Sequence, residues 1–283
     1  MIDETAEEIA DMQTHSSSVV AVKAARALRE LTDREFPTVE EYRRTLTRNS
    51  SALRRANPSH ASLHNTQREI TETVEDADVD TVEAAQQLTL DTIDAVVDRI
   101  ETAKRRAAEA AAPLLAEAET LLVHDYSTTV LSAITRAIED GASFSVYVTE
   151  ARPRYLGRKM ARRLAEFEAV DTTLIVDSAH GHYLPECDRV VVGMDCIVED
   201  TLYNRIGTYP IATTADDCGV PVTSLGSAAK LVDTGFAFEN EYRAASEVML
   251  EPADGFDIDN PAYDETPTRL LHSVVTDEGV EQL

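Results

Sequence analysis

The feature that most restricts the fold is a change of period near Pro113. Before it, apolar residues recur at helical steps; after it, short β-branched runs alternate with helix-length segments. Between Asp80 and Ala111, the residues Val82, Ala85, Leu88, Ile93, Val96, Val97 and Ile100 follow the helical step, and Asp80 with Glu83 forms a capping-box pattern at the start. A second helix is expected near Ser18, burying Val19, Val22, Leu28 and Leu31, and a third opens at Thr38 with Glu41 following. Beyond Pro113, residues 120–123, 144–149, 173–176, 189–192 and 220–224 read as strands, separated by helical stretches such as 128–139 and 156–167. Strands separated by helices imply crossover connections and a parallel sheet. The runs around Leu121 and Val191 are almost continuously apolar, as in interior strands covered on both faces. The expected class is therefore α/β: an N-terminal helical domain, residues 1–112, followed by a Rossmann-like parallel sheet domain, residues 113–283.

Composition narrows the functional classes. Acidic residues number 52 against 26 basic ones, a formal net charge of −26, and only four of the bases are lysines (Lys23, Lys104, Lys159, Lys230). Such a surface matches a molar-salt environment, where the Debye length falls to about 3 Å and self-repulsion is screened. The same charge argues against direct nucleic-acid binding, which needs clustered cations and weakens with salt. No apolar run approaches the length of a membrane helix and the start is acidic, so a cytoplasmic protein without membrane contact is expected. Neither a G-x-G-x-x-G nor a G-x-x-x-x-G-K-[ST] run occurs, and Cys187, Cys196 and Cys218 match no zinc spacing. No metal and no cofactor are expected, and the thiols read as reduced and buried.

Ligands of parallel α/β sheets collect beyond the carboxyl ends of the strands. Asp125 and Ser127 follow the first strand, where either can cap the next helix or face an anion. Arg152, held out of helix by Pro153, can take a phosphate or pair with Glu150. Asp195 follows an apolar strand that stops at Gly193; it suits acid/base chemistry, or an ion pair with Arg152 or Arg205. Asn204 and Arg205 begin a polar turn whose Gly207 and Thr208 open a helix, capping it or binding an anion. Residues 260–267 read as a surface loop without chemistry, leading to an edge strand at 270–275.

In order, the runs at 124–130 (HDYSTTV), 150–153 (EARP), 193–195 (GMD), 204–208 (NRIGT) and 260–267 (NPAYDETP) resemble one superfamily. It holds the alpha, beta and delta subunits of translation initiation factor 2B, ribose-1,5-bisphosphate isomerase and methylthioribose-1-phosphate isomerase. The resemblance implies a helical domain, a Rossmann-like domain, homo-oligomers and a sugar-phosphate pocket between the domains. In the isomerase branches a cysteine and an aspartate form the acid/base pair; here the aspartate is Asp195, and Asp125 stands where the cysteine would be. An unperturbed thiol, with pKa about 8.5, holds its proton at neutral pH, whereas an aspartate at about 3.9 does not. Two phosphate-binding arginines of the isomerases are also replaced, by the run His15, Ser16 and Ser17 and by Asn57 before Pro58. Each such contact is worth roughly 1.5–3 kcal/mol.

These departures favour the non-catalytic branch: a homo-oligomeric regulatory or scaffold protein of translation initiation, with initiation factor 2 subunits as partners and a sugar phosphate or nucleotide as ligand. The alternative is an aldose–ketose isomerase of ribose 1,5-bisphosphate or a related 1-phosphosugar. Asp195 would then be its acid/base and Asp125 a protonated companion, with Arg152, Asn204 and Arg205 around the phosphate. One consequence of the charge is independent of that choice: the free energy of unfolding should rise between 0.1 and 2 M KCl in denaturant titrations. Stability that stays constant or falls would contradict the screening argument.

Overall fold

A computed structural model describes residues 2–11, 17–58, 60–232, 236–252 and 254–283. The chain divides into two compact units, Met1–Thr102 with Val232–Glu239, and Ala103–Leu231 with Asn240–Leu283. Among the described residues no helix is long and apolar enough to cross a membrane.

The first unit contains α1 (Ile2–Asp11), α2 (Ser17–Ala27), α3 (Val39–Ala56), α4 (Ala61–Asp76) and the first part of α5 (Val82–Leu115). The Thr38 side chain caps α3 by accepting from the Glu41 N–H at 3.2 Å. At α5 the cap is Thr81, which accepts from the Ala84 N–H at 3.2 Å, one residue later than the capping-box pattern places it. The helical stripe of α5 is buried at Ala85, Ile93, Val96, Val97 and Ile100, and packs with Leu28, Leu31, Leu46 and Leu53. Full burial of each large aliphatic side chain contributes about 1.5–3 kcal/mol. Inside this core the Tyr42 hydroxyl donates to Thr89 Oγ1 at 2.6 Å, so its polar tip is satisfied. Val19, expected inside, is 51 % exposed, because α2 turns the Val20 and Ala24 face inward instead.

The second unit is built on β1 (Thr120–Val123), β2 (Phe144–Thr149), β3 (Val170–Ile175) and β4 (Arg189–Gly193), with the helices α6 (Thr128–Glu139), α7 (Leu156–Leu164) and the short α8 (His180–Tyr183) among them. There follow β5 (Cys196–Val198), β6 (Thr201–Arg205), α9 (Thr208–Cys218), β7 (Val222–Leu225), β8 (Leu231–Val232), α10 (Ala245–Val248), β9 (Tyr263–Pro267), β10 (Ser273–Thr276) and β11 (Gly279–Gln282). The main sheet has seven strands in the order β11-β10-β7-β4-β1-β2-β3, and a smaller sheet runs β8-β5-β6-β9. All neighbours in the main sheet are parallel except β10 and β11. The side chains of β1 and β4 are buried throughout, apart from the half-buried Thr120, as their apolar runs require.

Two expectations change. The strand after residue 270 is not at the edge: β10 lies between β7 and β11, and β11 forms the border. Asn204 and Arg205 are not in a turn but end β6, whose pairing with β9 brings residues 263–267 alongside them. Local propensity does not show either pairing, because both depend on contacts between distant segments.

Strand order reverses at β1, which lies between β4 and β2, so a crevice opens beyond the tips of β1 and β4. The neighbouring β2 tip is tightly fixed: Gly157 of α7 donates to the Glu150 carbonyl at 3.2 Å, and a Cβ there would strike the Thr149 carbonyl oxygen. Gly157→Ala should therefore destabilise the protein by about 3 kcal/mol or more in urea titration, the upper range for overpacking. A loss below about 1 kcal/mol would contradict this packing.

Candidate active site at the tips of the central strands

His124 leaves β1 fully buried, with both ring nitrogens engaged: Nε2 meets the Ile206 carbonyl at 2.9 Å and Nδ1 meets Thr149 Oγ1 at 2.7 Å. Facing a carbonyl, Nε2 carries the proton, and in the neutral ring Nδ1 accepts from the threonine hydroxyl. The imidazole thereby ties the end of β2 to the segment after β6. Gly207 makes this approach feasible: it has φ +106°, and a Cβ would lie 2.7 Å from the His124 ring.

Asp125 comes next, in the left-handed region at φ 63°, and is 8 % exposed. Its carboxylate lies 3.4 Å from Arg205 Nε. Burial pushes the Asp125 carboxyl above the usual carboxylate range; His124, Arg205 and the Tyr126 N–H pull the other way, and Asp195 adds slightly to the rise. The result is an acid that keeps its proton to higher pH than an exposed aspartate.

Arg205 also stacks over the Tyr263 ring, its Cζ 4.9 Å from the centroid, and Asp195 is close enough to stabilise its charge. Burial pushes the Tyr263 hydroxyl up to about 12, with Asp195 further opposing its ionisation. Lys230 donates to the Met194 carbonyl; burial lowers its ammonium pKa while Asp195 counters that fall. Among the described residues the Asp195 side chain makes no hydrogen bond or ion pair.

Asp125 and Arg205 line an open cavity with Arg152, Arg154, Arg243 and Asn260, over apolar surface from Ala151, Pro153, Leu156, Ile206, Pro261 and Ala262. Asp195 does not line the cavity itself but lies close enough to Arg205, Lys230 and Tyr263 to shift the ionisation of all three.

The other expected site residues separate. Ser127 caps α6, accepting from the Val130 N–H at 3.3 Å, and it crowds Gly193, where a Cβ would come 2.9 Å from its own. Asn204 is buried and donates to Thr208 Oγ1 at 3.0 Å, a structural contact. Glu150 pairs with Arg158 at 2.7 Å, which settles the Arg152 alternative: Arg152 donates instead to the Val248 carbonyl at 3.1 Å. Asn57 belongs to the helical unit, where its N–H closes α3 on the Arg54 carbonyl at 3.3 Å. His15 and Ser16 lie outside the described residues. Cys187 and Cys196 are buried, but Cys218 is exposed, because α9 turns the Ile211 and Ala215 face to the core.

Several participants escape sequence reasoning. Asp264 accepts from the Gly207 N–H at 2.7 Å and the Tyr209 N–H at 3.0 Å, so a carboxylate already occupies the start of α9 and the anion alternative there is excluded. Asp177 accepts from the Ala151 and Arg152 N–H groups, both at 2.8 Å, and fixes the loop after β2. Lys230, Arg243 and Tyr263 carry no spacing signal; the β6–β9 pairing and the strand order gather them.

A family model described as the initiation factor 2 subunit family matches residues 13–282. A protein of Haloferax volcanii named ribose 1,5-bisphosphate isomerase is 34 % identical over 97 % of this chain and 87 % of its own length. A methylthioribose-1-phosphate isomerase of Pelotomaculum thermopropionicum is 30 % identical over 92 % of this chain and 75 % of its own. The crystal structure of the Pyrococcus horikoshii translation initiation factor eIF-2B superposes with TM-score 0.75 at 24 % identity, covering 99 % of this chain and 96 % of that one, and this likeness shows the fold alone. Further relatives carrying the ribose 1,5-bisphosphate isomerase name extend down to 28 % identity at near-full coverage. They overturn the expectation of a non-catalytic regulatory protein. Its premise was that an aspartate in the cysteine position brings no proton; burial of Asp125 raises its carboxyl and so works against that premise. The chain belongs to the initiation factor 2 subunit family.

Proposed function

We propose that this protein isomerises an aldose 1-phosphate, of the ribose 1,5-bisphosphate type, to the corresponding ketose phosphate. The observation that carries the reading is a buried Asp125, inclined to hold its proton, paired with an Arg205 that also feels the charge of Asp195, in a chain whose near-full-length relatives bear the isomerase name.

Atom bookkeeping assigns the roles. Opening the sugar ring breaks the bond between C1 and the ring oxygen, and that oxygen needs a proton. Forming the C2 carbonyl releases the proton of the C2 hydroxyl, while the hydrogen on C2 is transferred to C1. One acid gives a proton, one base takes one, and no external oxidant or reductant is consumed. Asp125, whose carboxyl burial raises above the usual carboxylate range, is assigned the ring-oxygen proton; Asp195 is assigned the hydroxyl proton; Arg205 pairs with Asp125 beside them. Lys230 and Arg152 add positive charge for the phosphates.

Self-association belongs to the same reading, in keeping with one fold neighbour, the tetrameric eIF2B-beta2-delta2 complex of C. thermophilum. So does a cytoplasmic, high-salt setting, in keeping with the net charge of −26.

Phosphorus NMR of ribose 1,5-bisphosphate with the protein in molar KCl should show conversion to the ketose bisphosphate. Asp195→Asn should lower kcat by about 10²–10⁴-fold, the usual contribution of a positioned acid or base. Well-folded protein without turnover would refute the reading.

The pH profile gives a signed test. Asp125 must be protonated to act, so activity should decline as pH rises through its folded pKa, which lies above the ordinary value of about 3.9. Asp125→Cys brings an acid of pKa about 8.5 and should move that decline to higher pH, while Asp125→Ala should lose most activity. An unmoved limb in the cysteine variant would remove Asp125 from the acid role.

A further inference from the structure

The end of the main sheet opposite the candidate active site holds a buried charge that the isomerase reading does not use. Arg189 opens β4 and is only 8 % exposed. Its Nη1 donates to Thr223 Oγ1 at 2.8 Å, and that hydroxyl lies 2.9 Å from Ser273 Oγ, near the starts of β7 and β10. Thr223 and Ser273 are both fully buried. Arg189 Nε is buried as well, with no hydrogen-bond partner among the described residues.

Donors outnumber acceptors in this cluster. Thr223 and Ser273 share one hydroxyl proton, whichever of them donates it, and the other has no acceptor among the described residues. The Arg189 Nε–H is a second free donor, and the guanidinium adds a full positive charge. No carboxylate balances it: among the described residues Arg189 forms no ion pair. Asp188, its neighbour in sequence, turns Oδ2 to the Glu119 and Thr120 N–H groups at 2.9 and 2.8 Å. Burial pulls the Arg189 guanidinium down, and the acid that opposes this, Glu117, is exposed. A guanidinium taken out of water without a counter-charge is costly, and an anion supplies the charge and the lone pairs for both free donors together. One guanidinium calls for one negative charge, since a divalent anion would leave the buried cluster charged again.

We propose that Arg189, Thr223 and Ser273 form a binding site for a monovalent inorganic anion, chloride in a KCl medium, which ties together the starts of β4, β7 and β10. The site is separate from the proposed reaction, because it lies at the amino end of β4, whose carboxyl end leads to Asp195.

The test follows thermal midpoints of the wild type, Arg189→Met and Ser273→Ala while potassium gluconate is replaced by KCl at constant ionic strength. The wild type should gain stability that saturates with chloride, exceeding any change in Arg189→Met by at least about 2 °C. In gluconate, Arg189→Met should be at least as stable as the wild type, because it deletes a buried charge without a partner. Ser273→Ala keeps that charge and loses one hydroxyl, so it should need at least about threefold more chloride for the same gain, a readout that stands even if Arg189→Met does not fold. Crystals of the wild type grown in KBr should show bromide anomalous scattering beside Arg189 Nε. A gain that Arg189→Met retains, a gain that never saturates, a Ser273→Ala titration identical to the wild type, or no bromide at Arg189 would overturn the site. A gain that grows with protein concentration would assign the counter-charge to a carboxylate of a second copy and overturn it equally.

Discussion

The site depends on a carboxyl group taken out of water at the end of a central strand. β1 lies where strand order reverses, so its tip opens on a crevice and not on a neighbouring crossover. His124 anchors that tip to Thr149 on one side and Ile206 on the other, and Gly207 lets the imidazole fit. Asp125 is therefore held in a left-handed conformation beside Arg205, with little solvent to stabilise its charge. Strain of this kind costs about 1–3 kcal/mol per residue and persists only where the surroundings fix it. Here three separated segments do so.

Charge shows the same economy. The chain is strongly acidic, yet the cavity beside Asp125 is walled by arginines, and three carboxylates of nearby segments serve as caps and braces. Asp264 starts α9, Asp177 fixes the loop after β2, and Glu150 occupies Arg158. Each of these carboxylates is thereby engaged by a backbone N–H or by Arg158.

Much of the fold was legible because its signals are local. The intervals at β1 and β2 and the helix α6 coincide with their apolar periods, and Thr38 announces α3 through a cap four residues long. The small sheet was not legible: β5 and β6 are short, and β9 joins them from a segment that reads as a proline-rich loop. The positions of Asp125, Asp195, Arg152 and Arg205 followed from the rule that sites form at strand tips. Their protonation did not, since it depends on burial, and burial depends on segments more than 80 residues apart, such as His124 and Ile206. That gap explains why the sequence pointed away from catalysis: a cysteine replaced by aspartate reads as a lost proton donor when the burial that raises the Asp125 carboxyl is not visible.

The most direct measurement is a carbon-13 NMR titration of the Asp125 side-chain carboxyl in the folded wild-type protein at molar KCl, with Asp125→Asn as the assignment control. The account predicts an inflection clearly above the ordinary aspartate value of about 3.9. An inflection at or below that value would mean that Arg205 outweighs burial and leaves Asp125 ionised, and the acid/base pair would lose its acid.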